Sequence, residues 1–250
     1  MKTKRNRNKV KHNSKFRTIL DKNAPFSYVE AYKDLRTNLD FVSSVAGVKS
    51  ILITSALPAE SKSTTAINLA LTLAENRHSV IIVECDLRKP VLRRYLKLDR
   101  VTKGLTTILS GSAEIDECIV ELKDMGISII HAGMIPPNPS ELLNQQGMGE
   151  LIEKLKQRYD YVILDTPPIT VVTDAAVVGR VADGALLVVR SKFAQAKTVR
   201  LAKQRLEAVD IKILGAVLTR FNAKKSGWRS GYDYSSYEYG YGYGYGQNKS

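Results

Sequence analysis

The chain has 250 residues, 44% hydrophobic and 25% charged, with two cysteines and a formal charge of +13. That balance specifies one folded domain with a sizeable core and excludes fibrous, wholly disordered and disulfide-stapled chains. No apolar run approaches the roughly 18 residues of a membrane-crossing helix, and the basic N-terminus has no apolar stretch behind it to form a secretory signal.

In chain order, residues 1–25 are expected to form a basic disordered arm. Within 1–22, nine Lys/Arg stand against Asp21 alone, so +8 of the +13 lies there. Such a segment is either a solvated arm or one that can bind anionic lipid or nucleic acid. Residues 26–226 are expected to be a single domain. Strand candidates are 50–55 (SILITS), 79–84 (SVIIVE), 127–131 (ISIIH), 160–165 (DYVILD), 185–190 (ALLVVR) and 211–218 (IKILGAVL). They are apolar nearly throughout, as strands covered on both faces are. Helical periodicity fills 62–76, 148–158, 173–182 and 195–208 between them. This alternation predicts an α/β fold with a mostly parallel sheet flanked by helices. Residues 227–250 are of low complexity and are expected to be a flexible tail. Cys85 and Cys118 stand apart and outside any metal-binding spacing, which points to a reducing cytoplasm. His12, His78 and His131 are likewise scattered, without ligand spacing.

The segment 50–70 runs from a strand through a tight loop into Lys62-Ser63-Thr64 and an amphipathic helix. This is the layout of a phosphate-binding loop: amides at a helix start face an anion, the lysine reaches the outer phosphates, and the next hydroxyl ligates Mg²⁺. The spacing G-x-x-x-x-G-K-[ST] asks for glycine at 56 and 61, where Ala56 and Ser61 stand. Should Ser61 need a positive φ, the strain would be roughly 1–2 kcal/mol. Two further strands end in carboxylates: Glu84 and Asp86 lie two apart, on one face, and Asp165 closes 160–165. In parallel sheets ligands gather at the carboxyl ends of strands, so these tips with the lysine–hydroxyl loop predict a site for Mg²⁺ and a nucleoside triphosphate in a P-loop NTPase fold.

From about residue 28 to the C-terminus the chain resembles the bacterial tyrosine kinases of capsule and exopolysaccharide synthesis, P-loop proteins related to the MinD/ParA-type ATPases. EAYKDLRTNLDF (30–41), ITSALPAESKSTTAINLA (53–70), VIIVECDLRKP (80–90), HAGMIPPNPSELL (131–143) and YDYVILDTPP (159–168) carry the resemblance. It implies a tyrosine kinase using ATP and Mg²⁺. Pro58, Ala59, Glu60, Ser61, Lys62, Ser63, Thr64 and Asp165 would contact nucleotide, with Lys62 on the β- and γ-phosphates. Ser63, Asp86 and Asp165 would support the metal. Glu84 would be the base toward the tyrosine hydroxyl, and Arg88 matches the motif's arginine. Thr219 and Arg220 are candidates for adenine contact by position only. The chain departs from the family at Ala59 and Ser61, which replace two loop glycines, and at Glu84, which replaces an aspartate. Leu57 occupies the place of the extra lysine of MinD/ParA-type loops.

Seven tyrosines, Tyr232, Tyr234, Tyr237, Tyr239, Tyr241, Tyr243 and Tyr245, are separated by small and polar residues. Behind a nucleotide site they read as phosphoacceptors, modified in trans. The segment from 227 is too poor in basic residues for specific nucleic-acid binding. The resemblance further implies a ring-shaped oligomer through helix 30–41, a transmembrane adaptor that completes the nucleotide site and recruits the chain to the inner face of the cell membrane, and a cognate tyrosine phosphatase. Two alternatives stay open: a MinD/ParA-like ATPase, and a scaffold of the export machinery that binds nucleotide weakly.

Overall fold

The structure, a computed structural model, describes residue 20 and residues 23–99 and 102–221. The basic arm up to residue 19 and the tyrosine tail lie outside the described residues.

Helix α1 (Phe26–Ala46) opens the domain and ends at Gly47, whose φ of 65° takes the left-handed position a helix stop requires. Then follow β1 (Ser50–Ser55), α2 (Lys62–Glu75), β2 (Val80–Glu84), α3 (Leu92–Tyr95), α4 (Leu105–Leu109), α5 (Ile115–Cys118), β3 (Ile119–Leu122) and β4 (Ile127–Ile130). The chain closes with α6 (Pro139–Leu143), α7 (Gln146–Arg158), β5 (Tyr161–Asp165), α8 (Asp174–Gly179), β6 (Gly184–Arg190), α9 (Ala196–Glu207) and β7 (Ile213–Thr219). The described residues build a seven-stranded sheet in the order β3-β4-β2-β5-β1-β6-β7. All pairings are parallel except that of β3 with β4.

The six expected strands are present to within two residues at their ends, and so are the expected helices, except that 173–182 holds helix only over Asp174–Gly179. Helix 30–41 is longer, at Phe26–Ala46. The expectations lacked β3. It is four residues long, half-buried and at the sheet edge, so it carries neither an apolar run nor a clean alternation.

The reason the strands read as continuous apolar runs is visible in their packing. Leu52, Val83, Val162 and Leu164 face one side, under α7, α8 and α9 through Leu151, Ile152, Leu155, Val178 and Leu206. Their neighbours Ile51, Ile53, Ile82 and Ile163 face the other, under Ile67, Leu69 and Leu73 of α2. Each such side chain contributes about 1.5–3 kcal/mol by leaving water. Helix α2 is buried at every position from Thr64 to Leu73 because α1 lies outside it. Polar ties fix that contact: the Arg36 guanidinium donates to the Thr72 carbonyl, and Asn68 donates to the Tyr28 hydroxyl. Leu20 already joins the domain, its amide donating to Asn68 Oδ1 at 3.0 Å.

Parallel strand order sends the ends of β1, β2, β5, β6 and β7 to one edge of the sheet, where the sequence motifs lie. Among the described residues no helix is long and apolar enough to cross a membrane.

Candidate active site

The loop from β1 to α2 is built against its own side chains. Ala59 and Ser61 both have positive φ, 63° and 74°. For residues carrying a Cβ this region costs about 1–2 kcal/mol each, so the conformation persists only where the surroundings impose it. Alternating backbone handedness turns successive amides inward as an anion-binding nest at the start of a 14-residue helix. The Ser61 side chain makes no cap bond there. The amides of the first turn thus keep the unsatisfied, positive character that suits a phosphate.

Beneath the loop lie the acids. Glu84 and Asp165 are register partners on β2 and β5, and the Cys85 amide donates to the Asp165 carbonyl at 2.8 Å. Burial pushes the Cys85 thiol well up, and the negative charges of Asp165, Glu84 and Asp86 add to the shift. Burial pushes the Asp165 carboxyl up to about 7 against the opposing pull of Lys62 and the Ser63 hydroxyl. Both Asp165 oxygens are buried with no hydrogen-bond partner among the described residues. A buried carboxylate left so is costly, and a bound cation would satisfy it. No group of three or more His, Cys, Asp or Glu among the described residues is arranged to hold a metal. One carboxylate beside a hydroxyl suits Mg²⁺, which takes its remaining ligands from phosphates and water, and does not suit a closed zinc site.

Lys62, Ser63 and Asp86 all lie near enough to Asp165 to act on its carboxyl. Other expected site residues are placed differently. Glu84, 2% exposed, accepts the Val91 and Leu92 amides at 2.6 and 2.7 Å and the Ala132 amide at 3.2 Å. With both oxygens so engaged, it holds the loop after β2 and the end of β4 together; this position is not that of a base. His131 Nδ1 stands 3.7 Å from it, too far for a hydrogen bond. Arg88 turns away from the cradle and forms a two-pronged pair with Asp174, at 2.8 and 3.0 Å. Ser140 bonds both partners, so β2's loop, α6 and α8 are clamped as a unit. Glu60 points inward, fully buried, and accepts the Leu57 and Arg190 amides. Thr219 donates to the Glu60 carbonyl at 3.0 Å, bracing the loop, while Arg220 is exposed beside it with a φ of 52°. Pro58 and Ala59 are exposed at the loop tip, and Thr64 is buried in the first turn of α2.

The sequence reading missed Asp174, Ser140 and Arg190. Their partners are 86, 52 and 130 residues away, and nothing local marks them. Two clefts, of about 240 and 340 Å³, lie instead along β3, far from this chemistry.

Residues 49–211 match the AAA domain family. The tyrosine-protein kinase YwqD of Bacillus subtilis is 40% identical over 205 residues, covering 82% of this chain and 85% of that protein. The kinase domain of the Escherichia coli tyrosine kinase ETK superposes with a TM-score of 0.74 at 36% identity, over 81% of this chain and 84% of that one. MinD of Pyrococcus horikoshii, complexed with Mg-ADP, has a TM-score of 0.61 at 24% identity, over 71% of this chain and 72% of its own, which shares the fold alone. With the loop, the acids and the sheet order already in place, these similarities settle the family: the chain belongs to the bacterial tyrosine-protein kinases.

Proposed function

We propose that the chain binds ATP with Mg²⁺ in this cradle and transfers the γ-phosphoryl group to tyrosine hydroxyls, those at 232, 234, 237, 239, 241, 243 and 245 of a neighbouring copy among them. The observation that carries the reading is Asp165, whose two buried oxygens lack partners beside Lys62 and Ser63. Asp165 and Ser63 would hold the magnesium ion, which when bound neutralises charge on the transferring group. The loop amides and Lys62 bind the β- and γ-phosphates and orient the γ-phosphorus. Asp86 uses Oδ1 to accept the Lys89 amide at 2.9 Å and stays partly exposed. It would support the ion, and it takes up the tyrosine proton, the role that Glu84 is not free to fill. A tyrosine hydroxyl has a pKa near 10, so a carboxylate at the attacking oxygen is useful at neutral pH. Positioning and electrostatics then supply most of the acceleration.

The product regulates polysaccharide synthesis and export at the inner face of the cell membrane. A transmembrane adaptor completes the nucleotide site, helix α1 joins copies in a ring, a cognate phosphatase resets the tail, and the basic arm adds attraction to anionic lipid. Phe41 and Val45 on α1 are exposed by 71% and 75%, an apolar face suited to a second copy. Glu30 and Lys33 pair with each other at 2.8 Å, and exchange of that pair for one between copies is the step assembly requires. Each tail phosphate adds about −1.5 to −2 charges, and the resulting repulsion disperses the ring.

The test is incubation with Mg-ATP, with and without the cytoplasmic segment of a candidate adaptor, read by phosphotyrosine mass spectrometry. Tail phosphotyrosine that increases with the adaptor segment is expected. ADP release without phosphotyrosine would replace this reading by a MinD-like ATPase.

A further inference from the structure

Glu60 lies between the two left-handed residues of the phosphate loop, and its neighbours Pro58 and Ala59 are exposed while it is fully buried. Its Oε2 accepts the Leu57 amide at 2.6 Å, closing the loop on itself. Its Oε1 accepts the Arg190 amide at 3.1 Å, reaching the last residue of β6. Its own carbonyl accepts the Thr219 hydroxyl at 3.0 Å, from the end of β7. The Arg190 guanidinium returns to the Ala59 carbonyl at 3.4 Å. Four contacts from three elements thus meet on a three-residue stretch whose outer members, Ala59 and Ser61, both resist the backbone they adopt. Glycine at those two positions would take the same backbone without strain. Alanine and serine need something to hold them there.

We propose that Glu60 is a positioning residue for nucleotide binding: its buried carboxylate staples the phosphate loop to β6 and so keeps Ala59 and Ser61 in the left-handed conformation that aims the loop amides at phosphate. The proposal rests on the cradle holding a nucleotide and is indifferent to what receives the phosphoryl group. It also says why two glycines are dispensable in this chain. The restraint that glycine makes unnecessary is supplied by hydrogen bonds, and the dependence on those bonds is greater for it.

The test is a cycle read as affinity for N-methylanthraniloyl-ADP with Mg²⁺, by fluorescence titration of the full chain. Glu60→Gln replaces one acceptor by an NH₂ group that faces an amide donor. In the native loop it should weaken binding tenfold or more. In the background Ala59→Gly/Ser61→Gly the same change should cost less than threefold. Thr219→Val, which removes the bond to the Glu60 carbonyl and a longer one of 3.5 Å to the Val189 carbonyl within the sheet, should weaken binding two- to fivefold and be rescued by the same glycines. If Glu60→Gln fails to fold, as judged by circular dichroism, Thr219→Val decides alone. Equal losses in both backgrounds, or none in either, would overturn the staple while leaving the nucleotide site standing. A native chain that does not bind the probe would overturn both.

Discussion

Asp160 and Asp165 bracket the two ends of β5, and their surroundings are opposite. At the amino end Asp160 Oδ2 accepts both the Ser79 amide and hydroxyl at 2.8 Å, which hold its carboxyl below the usual range. One loop over, burial raises Asp183, but Lys156 at 2.8 Å and the Ser50 and Lys49 amides outweigh it and leave that carboxyl low as well. Tyr161 completes this end by donating to Asp40 Oδ1 at 2.7 Å. At the carboxyl end Asp165 has no such partner and is driven up to about 7. One end of the sheet commits its charges to folding, and the other holds a charge unsatisfied for a ligand. The same division separates Glu60 and Glu84, each with both oxygens on backbone amides, from Asp165, whose oxygens have no partner; Asp86, with one oxygen on the Lys89 amide, stands between.

The comparison breaks most visibly at Asp165. Asp165→Asn should lower phosphoryl transfer on the order of 10²–10³-fold, the usual effect of deleting one electrostatic group at a reacting centre. The same variant should raise the melting temperature of the nucleotide-free protein at pH 8, because it removes a buried charge. An unstable variant would mean that Asp165 is paired in solution.

The pH dependence sharpens the contrast. The carboxyl of Asp165 lies at 3.8 in the unfolded chain and about 7 in the folded one, so between those values the folded state holds a proton that the unfolded state lacks. Stability of the nucleotide-free protein should therefore fall, by a few kcal/mol, as pH rises from about 4 to 7, and level off above. Asp160 and Asp183 act with the opposite sign. Their lowered values give stability that is present above the unfolded carboxylate range and lost as pH falls through their folded values, below about 4. Urea midpoints across pH should show a maximum between these windows, and Asp165→Asn should flatten only the upper slope.

At the amino end, Asp160→Ala removes both bonds to Ser79 and should destabilise by about 1–3 kcal/mol with no change in KM for ATP. A change in KM would mean that the two ends are coupled. The smallest effect belongs to the loop: Ser61→Gly relieves a strained φ but frees the unfolded chain, for a net gain of about 1 kcal/mol in denaturant melts.

Much of this was legible in advance, for a physical reason. Strands such as SILITS and DYVILD are covered on both faces, so they leave β-branched apolar runs, and an acid closing such a run marks the carboxyl edge where ligands gather. The Ser61 backbone could be anticipated because a loop of fixed geometry stays left-handed whatever its side chain. What stayed hidden was which partner each acid takes. Glu60 and Glu84 look like ligands in sequence, but a backbone amide leaves no residue signature, and the amides they accept include those of Arg190 and Ala132, far along the chain. Arg88 likewise reads only as the motif's arginine until Asp174 is folded against it. Strand β3 was hidden because an edge strand of four half-buried residues need not be apolar.

The most direct test of the central assignment, a kinase site built on Lys62 and Asp165, compares the native chain with Lys62→Met for transfer of γ-³²P from Mg-ATP to tyrosine, with the adaptor segment present and both proteins shown to melt at the same temperature. The account predicts labelled phosphotyrosine in the native chain and none above background in Lys62→Met. Label in Lys62→Met equal to that of the native chain would contradict it.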